Sequence, residues 1–156
     1  MTGDVAYPLG PLLDLMRELW ALDHTFALAS KRMVARTGLT MQQRVVLGIV
    51  RRYPSITPGR LARLLHLDAG TVSATIRRLE ANRWVERRIH ARDRRHVAIG
   101  LTEAGYAIAV ATVSPVERAI ERALGRLDAA DLGAFRRVLA VVIEELGQPE
   151  DAPRAE

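Results

Sequence analysis

The 156-residue chain has no cysteine, which excludes disulfides and any thiol-based redox signal. Aromatic residues amount to only 4% against 49% hydrophobic, a balance that points to a helical protein rich in Leu, Ala and Val. Lysine occurs once, at Lys31, so arginine carries nearly all the positive charge. No apolar run approaches the ~20 residues that cross a membrane. No basic segment, apolar stretch and small-residue cleavage site open the chain, so a cytoplasmic protein without membrane association is expected. A glycine-rich phosphate loop and a Ser-centred nucleophile motif are also missing. His24, His66, His90 and His96 are the only histidines, and no catalytic constellation forms around them. Neither an enzyme nor a bound cofactor is expected.

What the chain does have is unevenly placed charge. The total is +5, yet residues 51–100 hold 12 arginines against Asp68, Glu80, Glu86 and Asp93, a local net of +8. The remainder, with 11 basic and 14 acidic residues, is −3. Positive charge gathered on one compact stretch is the electrostatic signature of phosphate binding. A general preference for Arg over Lys accounts for the residue type but not for the clustering.

That stretch has a readable architecture from Thr57 to Leu101. Thr57 can cap a helix whose first position is Pro58, and Leu61, Leu64 and Leu65 share one face of it. Asp68 offers a second cap, and the following helix carries Val72, Ile76 and Leu79 on one side. Two short helices joined by a tight turn read as a helix-turn-helix. Period-2 alternation follows on both sides of Ala91-Arg92-Asp93-Arg94-Arg95, predicting a hairpin with a basic tip. Its inward face is expected to be Val85, Ile89, Val97, Ile99 and Leu101. A helix-turn-helix followed by a hairpin is a winged helix.

Long apolar helices flank the motif. One runs from Pro8 or Pro11 to about Arg36, with Leu12, Leu15, Leu19, Leu22 and Phe26 on one stripe and Leu13, Met16 and Trp20 on another. Gly38 suits its C-terminal cap, with Leu39 packing behind. Thr40 and Gln43 have the form of a capping box, and Val45, Val46, Ile49 and Val50 follow on a bracing helix that Pro54 stops. Thr102 caps a helix toward Leu124, broken near Ser114-Pro115. The last helix begins near Asp128, and Leu132, Phe135, Leu139, Val142 and Leu146 recur along it. One winged helix cannot bury so much apolar surface, so interlocked terminal helices of a homodimer are expected. The fold class is therefore mainly α with a small β-hairpin wing. Residues 1–156 read as one domain, with 40–101 the winged helix and 8–37 and 102–147 the dimerisation helices.

With these elements placed, the chain resembles the MarR family of bacterial transcription regulators. The resemblance lies in Leu61-Ala62-Arg63-Leu64-Leu65, Thr71-Val72-Ser73, Leu79-Glu80 and Trp84-Val85-Glu86-Arg87. Its most specific part is Asp93-Arg94-Arg95 followed by Leu101-Thr102-Glu103-Ala104-Gly105. Two departures stand out: Ala74 where the family often has a large basic residue, and Arg83 where a glycine commonly precedes the wing. The resemblance implies a dimer on pseudo-palindromic duplex DNA, often a repressor released by a small anionic or phenolic ligand.

The second helix of the motif then becomes the recognition helix. With Val72, Ile76 and Leu79 inward, Gly70, Thr71, Ala74, Arg77 and Arg78 project outward and Ser73 flanks them. Gly70 and Ala74 permit close approach, hydroxyls of Thr71 and Ser73 can bond bases or phosphates, and Arg77 can fork onto guanine. Ser55, Thr57 and Arg60 lie at the start of the preceding helix, where free amides attract phosphate. Arg94 suits a narrow minor groove, with Arg92 and Arg95 beside it and Asp93 holding its geometry. The competing reading pairs Arg77 and Arg78 with Glu80 or Glu86.

A ligand is expected where the first helix meets the winged helix, with Arg17, Trp20, His24 and Arg44 as candidates and Phe26 near them. Two further readings of the same fold stay open. One is a metal-responsive regulator using His90 and His96 across the wing. The other is a winged helix for RNA or protein, which exposed stacking aromatics would favour.

Overall fold

The computed structural model describes residues 9–89, 97–111 and 115–148, and it is mainly helical with one antiparallel hairpin. Helix α1 spans Pro11–Thr37, with proline at its first position, where no amide donor is needed. Gly38 ends it with φ of 71°, its amide donating to the Val34 carbonyl. Helix α2, Met41–Arg52, opens on the expected capping box: the Thr40 hydroxyl accepts from the Gln43 amide and Gln43 reciprocates. Helices α3, Pro58–Leu65, and α4, Ala69–Ala81, form the helix-turn-helix. Strands β1, Val85–Ile89, and β2, Val97–Leu101, pair from Val85↔Leu101 to Ile89↔Val97.

Helix α5 spans Glu103–Ala111 and α6 begins at Pro115 and ends at Leu124. The kink or break expected near Ser114-Pro115 falls on residues 112–114, which lie outside the described ones. Helix α7, Ala129–Leu146, starts on a capping box between Asp128 and Asp131. Two compact units result, residues 1–116 and 117–156.

The core lies in the first unit. Leu47 of α2, Leu61 of α3, Ile76 and Leu79 of α4 and Ile99 of β2 are fully enclosed and belong to one cluster. Each such side chain contributes about 1.5–3 kcal/mol by leaving water. Helix α2 packs on β2 and α5, and α4 meets β1, so the bracing helix sits behind the motif as its apolar residues require.

Three expectations about buried faces need correction. Leu64 is exposed, because on the eight-residue α3 the stripe facing α4 is Leu61 with Ala62. Val45 is likewise exposed, and Leu47 is the buried residue beside Val46 and Val50. In the wing, Ile89 and Val97 are 72% and 44% exposed, since they face each other at the end of the hairpin remote from the core. Among the described residues of the wing, those at its base are the packed ones. There Ile99 also donates its amide to the Ile56 carbonyl at 2.8 Å, adding a one-residue third strand just before α3.

The junction of α4, the wing and α5 explains the Leu-Thr-x-x-Gly sequence. Arg83 adopts φ of 56°, and its amide bonds the Glu80 carbonyl while the Trp84 amide bonds Leu79. This is the two-bond ending that closes a helix through a left-handed residue, with Trp84 packing back on the core. Thr102 donates its amide to the Trp84 carbonyl at 3.1 Å and its hydroxyl to the Arg83 carbonyl at 2.6 Å. That hydroxyl also accepts from the Gly105 amide at 3.0 Å, capping α5. A Cβ at position 105 would stand 1.7 Å from the Trp84 carbonyl oxygen, an impossible approach. We therefore expect Gly105→Ala to destabilise by about 3 kcal/mol or more, because the obstacle is backbone. Arg83→Gly should instead stabilise by about 0.5–1 kcal/mol by removing the left-handed penalty. Denaturant unfolding of both variants checks this; equal stabilities would contradict the junction.

Candidate nucleic-acid interface

The turn between α3 and α4 is built by the same device as the α4 ending. His66 is left-handed, with φ of 51°, and the Leu67 amide reaches back to the Ala62 carbonyl at 3.0 Å. Asp68 then caps α4, accepting the Thr71 amide at 2.8 Å and the Thr71 hydroxyl at 2.5 Å. These donors, the hydroxyl first and the amide second, hold the Asp68 carboxyl below its ordinary value of 3.8. The Thr71 hydroxyl, expected at the DNA, thus gives its hydrogen to the cap and keeps lone pairs to accept a bond.

On α4 the burial pattern divides as projected. Val72, Ile76 and Leu79 are enclosed, Gly70, Arg77 and Arg78 are exposed, and Thr71, Ser73 and Ala74 are half-buried on the flank. Thr75 is buried and donates to the Thr71 carbonyl at 2.9 Å, so it belongs to the helix and not to its outer face. Glu80, one of the carboxylates proposed to neutralise the helix, is bound instead by Arg87 of the wing at 2.9 Å. Glu86, the other, is bound by Arg88 through its Nε at 2.6 Å. Among the described residues, the side chains of Arg77 and Arg78 have no carboxylate partner. The guanidinium groups of Arg77 and Arg78 therefore lie exposed on the outer face of the second helix.

Arg88 is folded down on the wing. Its NH2 donates to the Leu101 carbonyl at 3.3 Å, and a Cβ at Gly100 would come within 3.0 Å of its guanidinium. Arg87 and Arg88 thus serve the wing's own geometry, a role that sequence spacing does not reveal. At the start of α3, the Thr57 hydroxyl accepts from the Arg60 amide at 3.3 Å and Arg60 is exposed. Ser55 occupies the turn before it with φ of 74°. Arg92, Arg94, Arg95, His90 and His96 lie outside the described residues.

Of the residues expected around a ligand, Arg17, Trp20 and His24 share one face of α1 by their spacing and are exposed, Trp20 by 78%. Arg17 lies 3.6 Å from Asp14 and 3.9 Å from Glu18, so its charge is already shared. Phe26 stands on another side of the helix. Arg44 is placed differently: it is buried between α2 and α5, with NH1 donating to the Ala109 carbonyl at 2.8 Å. No group of three His, Asp or Glu side chains fit for a metal exists among the described residues.

Comparison with known proteins bears on this arrangement. The model of the MarR family matches residues 39–97, the winged helix itself. A curated relative, the HTH-type transcriptional regulator TtmR of Methylorubrum extorquens (strain PA1), is 32% identical over 87 residues. That alignment covers 56% of this chain and 45% of the relative, so the match spans under half of the relative's length. A mutant of MarR from E. coli, solved in complex with operator DNA, superposes with a TM-score of 0.67 at 26% identity. It covers 84% of this chain and 94% of that one. The S. aureus MepR–DNA complex gives a TM-score of 0.69 at 21% identity, covering 83% and 96%, and shows the likeness of fold.

The depressed Asp68 carboxyl implies a pH dependence of the α4 cap. A folded value below the unfolded one means that the contribution is complete above pH 3.8 and lost as pH falls through the lower folded value. Amide exchange at Thr71 should stay protected above that range and rise below it. In Asp68→Asn the acid-dependent step should vanish; an unchanged step would assign it to another group.

Proposed function

We propose that this chain is a MarR-type regulator that binds duplex DNA sequence-specifically and regulates transcription, a reading supported by the family model over residues 39–97 and by the likeness to E. coli MarR. The observation that carries the reading is the outer face of α4. Small or half-buried residues at Gly70 and Ala74 leave room for a groove edge, and Arg77 and Arg78 stand beside them without carboxylate partners among the described residues. Arg77 is suited to a forked bond to guanine, with Ser73 and the Thr71 oxygen as shorter contacts. Ser55, Thr57 and Arg60 would hold phosphate at the start of α3, and Arg92, Arg94 and Arg95 would reach the minor groove from the wing. The E. coli MarR complex with operator DNA supports this assignment by analogy of fold and sequence.

The reading includes a homodimer in the cytoplasm. Helix α7 has no buried residue, and Phe135, Val138, Val141 and Ile143 are each roughly half exposed. Only Met33 of α1 is buried, while Leu12, Leu13, Met16 and Trp20 face outward. Apolar area on this scale marks an association surface. A second copy of the same chain covers it and places two recognition helices about 34 Å apart for successive major grooves.

Affinity for an operator selected from genomic fragments should fall steeply with salt, and Arg77→Ala should weaken it by about 1–3 kcal/mol without changing the melting temperature. Phe135→Asp, which strands a charge in the dimer seam, should cost several kcal/mol of dimer stability and abolish operator binding. Fluorescence anisotropy and sedimentation together decide the matter. Equal affinity for random duplex sinks the regulator reading, and a folded monomer at micromolar concentration sinks the dimer.

The same reading makes the protein a repressor released by a small aromatic or anionic ligand held by Arg17, Trp20 and His24. Such a ligand must favour the form that does not bind DNA, and about 1.4 kcal/mol of preference shifts the balance tenfold. In a screen of small aromatic acids, one that releases wild-type protein from DNA should lose that effect on Trp20→Ala. Equal release from both removes Trp20 from the site.

A further inference from the structure

We propose that Arg44 is the positioning residue that fixes where the chain leaves the DNA-binding unit, and thereby the separation of the two recognition helices. The inference rests on the dimeric DNA-binding reading above. Among the described residues, three polar side chains are buried: Gln43, Arg44 and Thr75. Gln43 belongs to the α2 capping box and Thr75 to the interior of α4. Of the three, Arg44 alone carries charge, and its guanidinium reaches acceptors far away in sequence. NH1 donates to the Ala109 carbonyl at 2.8 Å and to the Ile108 carbonyl at 3.4 Å, 65 and 64 residues away.

Those acceptors belong to the last turn of α5, which ends at Ala111. The final four carbonyls of a helix have no partner within it and carry the negative end of its dipole. Arg44 therefore supplies donors from α2 to carbonyls in the last turn of α5. The guanidinium cannot lose its proton, and its planar donors fix direction as well as distance. Hydrophobic replacement of a buried charge often maintains stability, so an arginine here serves geometry more than adhesion.

Geometry matters at this place. Helix α5 is the last complete helix of the 1–116 unit, and the second unit begins at Glu117. A rotation of its C-terminal turn against α2 would redirect the chain leaving it. In a dimer made through the terminal helices, that error is doubled at the recognition helices.

The absence of cysteine makes the test direct. A single Ala81→Cys substitution, at the exposed end of α4, gives one spin-label site per chain, and pulsed electron resonance reads the distance between the two protomers. The parent should show one narrow distance population. Adding Arg44→Met should shift or broaden it by at least ~2 Å, the scale of interface helix shifts, while the melting temperature stays close to the parent's. Arg44→Lys, which keeps a charged donor, should bring it back toward the parent. Should the Met variant not fold, Arg44→Gln, polar but uncharged, carries the same comparison. An unchanged distribution in the folded Met or Gln variant overturns the inference alone. A parent with no distance between protomers overturns the dimer reading and the inference together.

Discussion

The structure turns on the contact between the backbone of α5 at Gly105 and the carbonyl of Trp84. That carbonyl lies where a Cβ would stand, and it also accepts the Thr102 amide at 3.1 Å. The preceding carbonyl, of Arg83, accepts the Thr102 hydroxyl, while the Arg83 and Trp84 amides close the end of α4. Helix α4, the first wing strand and the outgoing helix are thus joined through two consecutive residues. No adjustment of side chains can relax the approach at Gly105, because it is between backbones. It holds the wing at a set angle to α4, and with it the separation between the two parts that would touch DNA.

The second organising feature is how charge is distributed within the basic stretch. Glu80 and Glu86 take Arg87 and Arg88, both arginines of the wing. These pairs are at the surface and contribute little to stability. Their consequence is spatial: they pin the wing arginines and leave the α4 arginines unneutralised among the described residues. A local net of +8 therefore has an internal division of labour, part structural and part available to phosphate.

Much of this was legible in the sequence because it depends on local chemistry. Thr40, Thr57, Asp68 and Asp128 cap helices where their residue types indicate, since a short side-chain oxygen reaches the amide three residues on. The buried face of α4 followed from the 3.6-residue period. Alternation misled at Ile89 and Val97, because a strand extending past its neighbours keeps its period-2 pattern without anything to pack against. Leu64 was misjudged for a related reason: an eight-residue helix has room for only one narrow stripe. The Ile56–Ile99 bridge had no signal at all, being a single pair between distant segments.

The sequence by itself determined the order of elements, their ends, the basic character of residues 51–100 and the apolar stripes of α1 and α7. Each of these is set by residues a few positions apart, and periodicity and capping report them directly. Only the tertiary structure decided which charges are engaged. Arg44, Arg77, Arg78, Arg87 and Arg88 are the same residue in a similar basic context, yet one is buried against α5, two hold the wing and two have no carboxylate partner among the described residues. An arginine's long, flexible stem lets it meet partners in many directions, so its role depends on what folding brings within its reach. For Arg44 that partner lies 65 residues away, a distance no local pattern encodes.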